Sequence, residues 1–384
     1  MRRPFSALSA APLSAIAELN PPRPLRRGAV APFVEMAAVD AVLPGLRAVA
    51  ARPYLGSGAR FCNGDVLFAR ISPCLENGKT ALVRELPPGE VGFGSTELTV
   101  LGPRRTSPES LYYLLKCEEV RRPLIARRVG SSGRLRIPAA AWAEVLVCVP
   151  PPAEQARITE ALGAVDAAIG AAQAVAEQLR RLRAALARDL LLRPGEERPG
   201  ADLFVLAGGH SPSALNFDSS GDTLFLKAED LGRPGNRRAI REAGLRFRAA
   251  DHPRIRVHAP GHLVFPKRGG AIATNRVRVL ARPAAVDPNL MVLAPGPALD
   301  PHYFAELLQH LGLPTFADDA GVPQINHKHL YPARFAAPPL EAQRAVRAAL
   351  SAADDRLDAE EARAAGLLAL RSAMLSGLMR CCVP

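Results

Sequence analysis

Four groups of residues have types and spacings that could do chemistry. Asn20-Pro21-Pro22-Arg23 has the outline of the motif with which adenine-N6 methyltransferases hold a flipped base. That motif ends in an aromatic that stacks on the base, and here Arg23 stands in its place. No glycine-rich strand–helix turn for a cofactor accompanies it. Gly208-Gly209 and Gly269-Gly270 lack the Lys-Ser/Thr ending of a phosphate loop, which speaks against an ATPase. His210, His252, His258 and His262 are not at metal spacing, so surface or structural histidines are expected. Of the six cysteines, Cys62, Cys74, Cys117, Cys148, Cys381 and Cys382, none forms a C-x2-C pair or joins a Cys/His cluster. Reduced thiols are expected, and with them a cytoplasmic setting. Cys381-Cys382-Val383-Pro384 has the outline of a prenylation box, but proline is a poor last residue and no polybasic run precedes it. No metal, cofactor or catalytic residue is assigned to the chain on these grounds.

The surroundings of these residues point to binding instead. A chain of 384 residues has room for two to three domains. Hydrophobic residues make up 48% and charged residues 22%, enough to fill more than one core. Lys plus Arg number 49 against 37 Asp plus Glu, a net charge of +12, which favours a polyanionic partner. Lysine occurs only at Lys79, Lys116, Lys227, Lys267 and Lys328, so the basicity is almost all arginine. Heavy alanine and arginine use also follows from coding bias, so charge is half an argument for nucleic acid. Aromatics are 5%, without the stacking pattern of single-strand binders. The N-terminal Met1–Leu19 stretch is basic, then mildly apolar, but Pro12 and Glu18 interrupt it and it is not read as a signal peptide. No unbroken apolar run reaches about 18 residues, so no membrane span is expected.

The chain is written twice. Residues 151–158 read Pro-Pro-Ala-Glu-Gln-Ala-Arg-Ile, and residues 338–346 read Pro-Pro-Leu-Glu-Ala-Gln-Arg-Ala-Val. Each Pro-Pro opens a long Ala/Leu stretch, as suits a residue tolerated at a helix start and excluded from its interior. In the first stretch Ile158, Leu162, Val165, Ile169, Ala172, Ala176 and Leu179 alternate steps of four and three, a heptad seam. The seam is expected to shift at Arg183 and resume through Leu182, Leu186 and Leu190. The second stretch runs through Val346, Leu350, Ala353, Leu357, Ala364 and Leu367, then shifts at Arg371 to Leu370, Met374 and Leu378. An offset of 188 maps Ile158 to Val346, Leu162 to Leu350, Asp166 to Asp354 and Arg183 to Arg371. Shared entry and shared shift mark a duplication. One departure stands out: the second copy reads as having gained a residue after Glu341, splitting the pair kept as Glu154-Gln155. A helix over 153–193 would be about 60 Å long. Gly163 and Gly170 each weaken it by about 1 kcal/mol relative to alanine. Its apolar stripe needs a partner, and the second helix carries the same stripe.

Ahead of each helix lie strand-like runs. In the first copy these are Val66–Ile71, Ala81–Val83, Leu98–Leu101 and Val145–Val149, with a helix over Ser110–Cys117. In the second they are Thr223–Lys227, His262–Pro266, Val277–Leu280 and Leu290–Leu293, with a helix over Tyr303–Leu311. The order predicts a compact α+β globule feeding each rod.

In these residues the chain resembles the specificity (S) subunit of a type I restriction–modification system. In the first copy the resemblance rests on residues 63–73 (Asn63 to Pro73), Glu76-Asn77-Gly78-Lys79 and Gly94-Ser95-Thr96-Glu97. In the second it rests on residues 265–272 (Phe265 to Ile272), Asn289-Leu290-Met291 and residues 321–328 (Gly321 to Lys328). Each copy also opens in the family style, with Leu19-Asn20-Pro21-Pro22 and Gly209-His210-Ser211-Pro212. The resemblance covers essentially the whole chain. It implies two α/β target recognition domains, each followed by a long α-helix, the helices packed as an antiparallel coiled coil with pseudo-two-fold symmetry. It divides the chain at 1–152, 153–193, 194–339 and 340–384. It implies a non-catalytic subunit that reads a split double-stranded DNA target, with the helices as a ruler. Two methyltransferase subunits, with restriction subunits recruited through them, would be its partners, and S-adenosylmethionine would sit on the methyltransferase.

Arg can pair with guanine, Asn or Gln with adenine, and Ser or Thr with either. The reading candidates are Arg70, Ser72, Asn77, Lys79, Ser95, Thr96, Arg134 and Arg136 in the first copy. In the second they are Lys267, Arg268, Asn275, Arg276, Gln324, Asn326, His327 and Lys328. Lys79 and Lys267 suit phosphates better than bases. Asn77-Gly78 and Gly94-Ser95 have turn-building as a competing role; Asn326 and His327 have capping or bracing. Two rivals stand beside this reading: a basic nucleic-acid-binding protein on a helical scaffold, and a degenerate S-like scaffold without an active restriction complex.

Overall fold

The computed structural model describes residues 10–131, 135–192, 196–318 and 321–379. Arg134, Cys381, Cys382 and the side chain of Leu378 lie outside the described residues. The chain forms two compact units, Met1–Ala176 with Glu360–Pro384, and Glu177–Ala359. Each unit holds one α+β globule and a part of both long helices, Pro152–Leu191 and Leu340–Met379.

In the first unit a four-stranded antiparallel sheet has the order 17–19, 98–103, 66–69, 80–82. A second sheet has the order 50–53, 30–34, 92–94, 59–61, and the strand 10–12 pairs with 146–148. Ser107 caps the helix Pro108–Lys116, its side chain accepting from the Ser110 N–H, with proline at the first helical position. The core gathers Phe68, Leu111, Tyr112 and Trp142, and takes in Ile158 and Leu162 from the first long helix and Leu375 from the second. Leu13 and Ile16, from the mildly apolar N-terminal stretch, are buried in the same core.

The second unit repeats this plan. The strands 204–208, 290–295, 263–266 and 278–280 pair in the order of their counterparts, and 239–240 adds a parallel edge. The strand 197–199 pairs with 334–336 as 10–12 pairs with 146–148. Asp300 caps the helix Pro301–Leu311. Phe204, Phe304 and Phe335 form the core with Ala187, Leu191 and Leu350 from the long helices.

The seams follow the expected residues up to the arginines, with Ile158, Leu162, Ile169, Ala172 and Ala176 buried in the first helix and Leu350, Leu357 and Ala364 in the second, and differ from there on. Gln155, Leu162, Ile169 and Ala176 are buried at a strict spacing of seven, and Arg183 continues the phase. Gln343, Leu350, Leu357, Ala364 and Arg371 do the same in the second helix. There is no shift to Leu182 or Leu370, which are exposed; Ala187, Leu191 and Leu375 are buried instead. The arginines sit on the seam because each has an acid to meet. Within the first unit, Arg371 Nε lies 2.5 Å from Asp166 Oδ1. Within the second, Arg183 Nε lies 3.1 Å from Asp354 Oδ1, and its NH2 donates to Glu306 at 2.6 Å. The duplicated Asp and Arg thus make the same pair twice, each time across antiparallel helix segments: one turn back from Asp166 is Leu162, one turn on from Arg371 is Leu375, and both leucines enter one core.

No residue is inserted in the second copy. Gln155 accepts from Ser107 N–H at 3.0 Å and donates to Pro150 C=O at 2.8 Å. Gln343 accepts from Asp300 N–H at 2.7 Å and donates to Pro338 C=O at 2.7 Å. The glutamines are equivalent at the constant offset, and only the glutamate beside them has moved.

The first long helix contains an 18-residue window of mean hydropathy 1.2, long and apolar enough by composition to cross a membrane. Glu160 and Asp166 interrupt the apolar residues of this helix, so it holds no unbroken apolar run of that length. Its buried face packs into a protein core and carries Asp166 in an ion pair, which is not the arrangement of a lipid-facing span.

Candidate nucleic-acid interface

The two copies place Arg70 and Arg136, and Lys267 and Gln324, at the same end of the central sheet by the same backbone bonds. In the first unit the strand Val66–Ala69 ends at Arg70, whose N–H donates to Glu97 C=O at 3.0 Å and whose C=O accepts from Ile137 N–H at 3.1 Å. In the second, Leu263–Pro266 ends at Lys267, whose N–H donates to Asn289 C=O at 2.8 Å and whose C=O accepts from Ile325 N–H at 2.9 Å. An isolated bridge joins Ile71 to Arg136, and another joins Arg268 to Gln324. Arg70, Glu97 and Arg136 therefore correspond to Lys267, Asn289 and Gln324.

The side chains at these matched positions behave differently. Arg136 donates from Nε and NH2 to the two Glu97 oxygens at 2.7 and 2.5 Å, and Arg70 Nε is 3.7 Å from the same carboxylate. The hydrogen bonds from Arg136 hold the Glu97 carboxyl below the usual carboxylate range. Beside this triad, Ser72 Oγ donates to Glu76 at 2.7 Å and accepts from Arg128 at 2.9 Å. In the second unit Lys267 is half-buried, while Arg268, His327 and Lys328 are exposed. The Lys267 ammonium and the Gln324 amide have no side-chain partner among the described residues.

Several candidates have structural duties. Lys79 Nζ donates to Met36 C=O at 2.8 Å. Ser95 Oγ accepts from Glu97 N–H at 3.2 Å and builds a turn. Asn275, at φ 51°, donates to Gln309 C=O at 2.7 Å and accepts from Leu313 N–H at 2.8 Å, bracing the loop against the neighbouring helix. Asn326 N–H donates to His329 Nδ1 at 3.1 Å, and the His327 ring lies tilted against Tyr331, centroids 5.5 Å apart. Arg276 packs over Gly232, where an added Cβ would meet its guanidinium at 2.4 Å. Asn77 and Thr96 are exposed. Lys116 faces inward, donating to Ala41 and Gly78 carbonyls, and burial together with Arg371 and Arg121 pulls its pKa down to about 7.

Reading the sequence missed Glu97, Asn289, Glu76 and Arg128. Glu97, Asn289 and Glu76 lie inside motifs already singled out, but nothing local in the sequence ties an acid to a distant arginine. The suggestive Asn20-Pro21-Pro22-Arg23 is a packing device: Asn20 Oδ1 accepts from Val100 N–H at 3.0 Å, and Arg23 NH2 pairs with buried Asp65 at 2.6 Å. His258 is buried, and burial with nearby Arg256 and His262 lowers its pKa to about 4.

No known protein-family profile matches the chain. A 100-residue stretch is 35% identical to the type I restriction enzyme EcoEI specificity subunit of Escherichia coli, and one of the same length is 36% identical to the EcoAI specificity subunit. In each case the matched stretch is 26% of this chain and spans 17% of the relative's length. Solved structures match end to end. A chain from a structure described as the basis of complex assembly and conformational transition of the type I R-M system aligns over 99% of both chains, with a TM-score of 0.63 and 18% identity. The type I restriction–modification S subunit of M. genitalium aligns over 99% of this chain and 98% of its own, with a TM-score of 0.59 and 13% identity. At such identities the likeness is one of architecture, and the architecture of this chain is that of type I restriction–modification specificity subunits.

Proposed function

We propose that this chain is the DNA-specificity subunit of a type I restriction–modification system. Each globule reads one half of a split double-stranded target. The chain itself is non-catalytic: it holds two methyltransferase subunits, which carry S-adenosylmethionine and bring in the restriction subunits, in the cytoplasm. The recognition domains are 1–152 and 194–339, and the spacer helices 153–193 and 340–384. The observation that carries the reading is the doubled plan, in which two globules present the same end of the central sheet and each is bonded to a long helix through the same glutamine. An internal repeat of this kind offers two equivalent faces to two identical partners. A bidentate contact between one side chain and one base pair gives sequence; the surrounding cations give affinity.

The gene is expected to neighbour a methyltransferase gene with a complete Asn-Pro-Pro-aromatic motif. Coexpressing the two and mapping modified adenines by single-molecule sequencing should yield a bipartite motif with an unread gap. A continuous motif, or none from an intact complex, would refute the proposal. Within the complex, Lys267→Ala should weaken binding to every DNA sequence and lower the salt-dependence slope by about one. Lost discrimination at unchanged affinity would instead make Lys267 a base reader.

A further inference from the structure

We propose that Glu97 is a positioning residue for base reading: it holds Arg70 and Arg136 so that their free guanidinium edges face a guanine in one half of the target, a device the second unit lacks. The inference rests on the DNA-reading function above.

A guanidinium is a planar fork with five N–H donors. Arg136 gives its Nε and one NH2 hydrogen to Glu97, which leaves the NH1/NH2 end free with two parallel donors. Arg70 Nε lies 3.7 Å from the same carboxylate, within ion-pair range, and is buried with no hydrogen-bond partner. Two parallel donors match the O6 and N7 acceptors that guanine shows in the major groove. The exposures follow that division: the Arg70 and Arg136 side chains are 37% and 39% exposed, and Glu97 beneath them 21%. The backbone fixes all three, since Arg70 N–H bonds Glu97 C=O and residue 71 bridges residue 136. An unpaired acid at a DNA-facing edge would repel phosphate. Here two arginines outweigh one glutamate, so the cluster keeps a net positive charge while its arginines are ordered before DNA arrives. Pre-ordering spares the rotamer entropy that free arginines lose on binding.

The second unit cannot do this. Asn289 stands where Glu97 does, and its side chain turns back to Asp287 at 3.3 Å. Lys267 and Gln324 replace the two arginines, and among the described residues no carboxylate connects them.

The test uses the complete complex with its methyltransferase subunits and reads base preference, position by position, from the mapped adenines. Glu97→Gln keeps the side chain's shape and removes its charge. One guanine position in one half of the motif should lose roughly tenfold or more of its discrimination, with the other half unchanged. Unaltered preferences in both halves, with or without a general fall in modification, would make Glu97 structural and overturn the inference. If Glu97→Gln fails to assemble, Arg136→Gln, which installs the second unit's residue, should relax the same half, and unaltered preferences there would be equally fatal. A wild-type complex that modifies no bipartite motif would bring down the underlying functional reading rather than the role of Glu97 alone.

Discussion

Replacing Arg371 with alanine is expected to destabilise the first unit by about 3–5 kcal/mol, the cost of leaving a buried charge without its partner. Arg371 and Asp166 are 8% and 4% exposed, and the network is closed by Tyr113 OH donating to Asp166 at 2.8 Å and Arg371 donating to Tyr112 OH at 3.3 Å. Alanine removes the guanidinium and leaves Asp166 facing a tyrosine hydroxyl in a dry seam. The equivalent change in the second unit, Arg183→Ala, should cost only ~1 kcal/mol, because Arg183 and Asp354 are 24% and 27% exposed and water can solvate the orphaned acid. The same duplicated pair therefore has two different energetic weights, decided by burial. Trp142 is the only tryptophan and belongs to the first unit's core, so its fluorescence reports that unit during urea unfolding. The Trp142 midpoint should fall steeply for Arg371→Ala. It should recover much of the loss when Asp166→Leu is added to Arg371→Met, since an apolar pair needs no charge compensation. A midpoint that barely moves for Arg371→Ala would show that water reaches this seam, contrary to its burial.

What the sequence made legible was periodic and punctuated. Pro-Pro followed by a heptad announced both long helices, and the runs at 66–71, 98–101, 262–266 and 290–293 announced central strands because their apolar residues are contiguous. The sheet built from 30–34, 50–53, 59–61 and 92–94 went unseen. Its strands are three to five residues long, Ala50–Pro53 is wholly exposed, and Gly92-Phe93-Gly94 offers one apolar side chain; pairing, not pattern, makes them strands. Leu182 and Leu370 suggest a seam shift because leucine outranks arginine on any hydrophobic scale. An ion pair reverses that order, and its partner lies 205 residues away for Arg371, beyond any local window. Glu97 was hidden for a related reason: an acid looks unsuitable at a DNA-facing edge until the two arginines that neutralise it are brought together from residues 70 and 136.

Gln343→Ala should loosen the junction between the second unit's globule and its long helix by about 3 kcal/mol. Gln343 is fully buried and makes three bonds: it accepts from Asp300 N–H at 2.7 Å and donates to the carbonyls of Ala298 at 2.8 Å and Pro338 at 2.7 Å. Truncation orphans one amide and two carbonyls, at about 1–3 kcal/mol for each group that water cannot reach. The orphaned amide belongs to Asp300, whose carboxylate caps the helix Pro301–Leu311 through His302 and Tyr303 N–H at 3.0 Å each. The damage therefore spreads into the cap, and the amides of Asp300, His302 and Tyr303 should exchange with deuterium about a hundredfold faster than in the parent chain. Gln343→Glu should not restore them. A carboxylate can accept from Asp300 N–H, but it cannot donate to either carbonyl, and it adds a negative charge close to the Asp300 side chain. The matching change in the first unit, Gln155→Ala, removes bonds to Thr106, Ser107 and Pro150 and should expose the start of Pro108–Lys116 in the same way. Unchanged exchange at Asp300 in Gln343→Ala would mean that these glutamines fill space without fastening helix to globule, and the case for two copies of one bonded junction would fail at its most specific point.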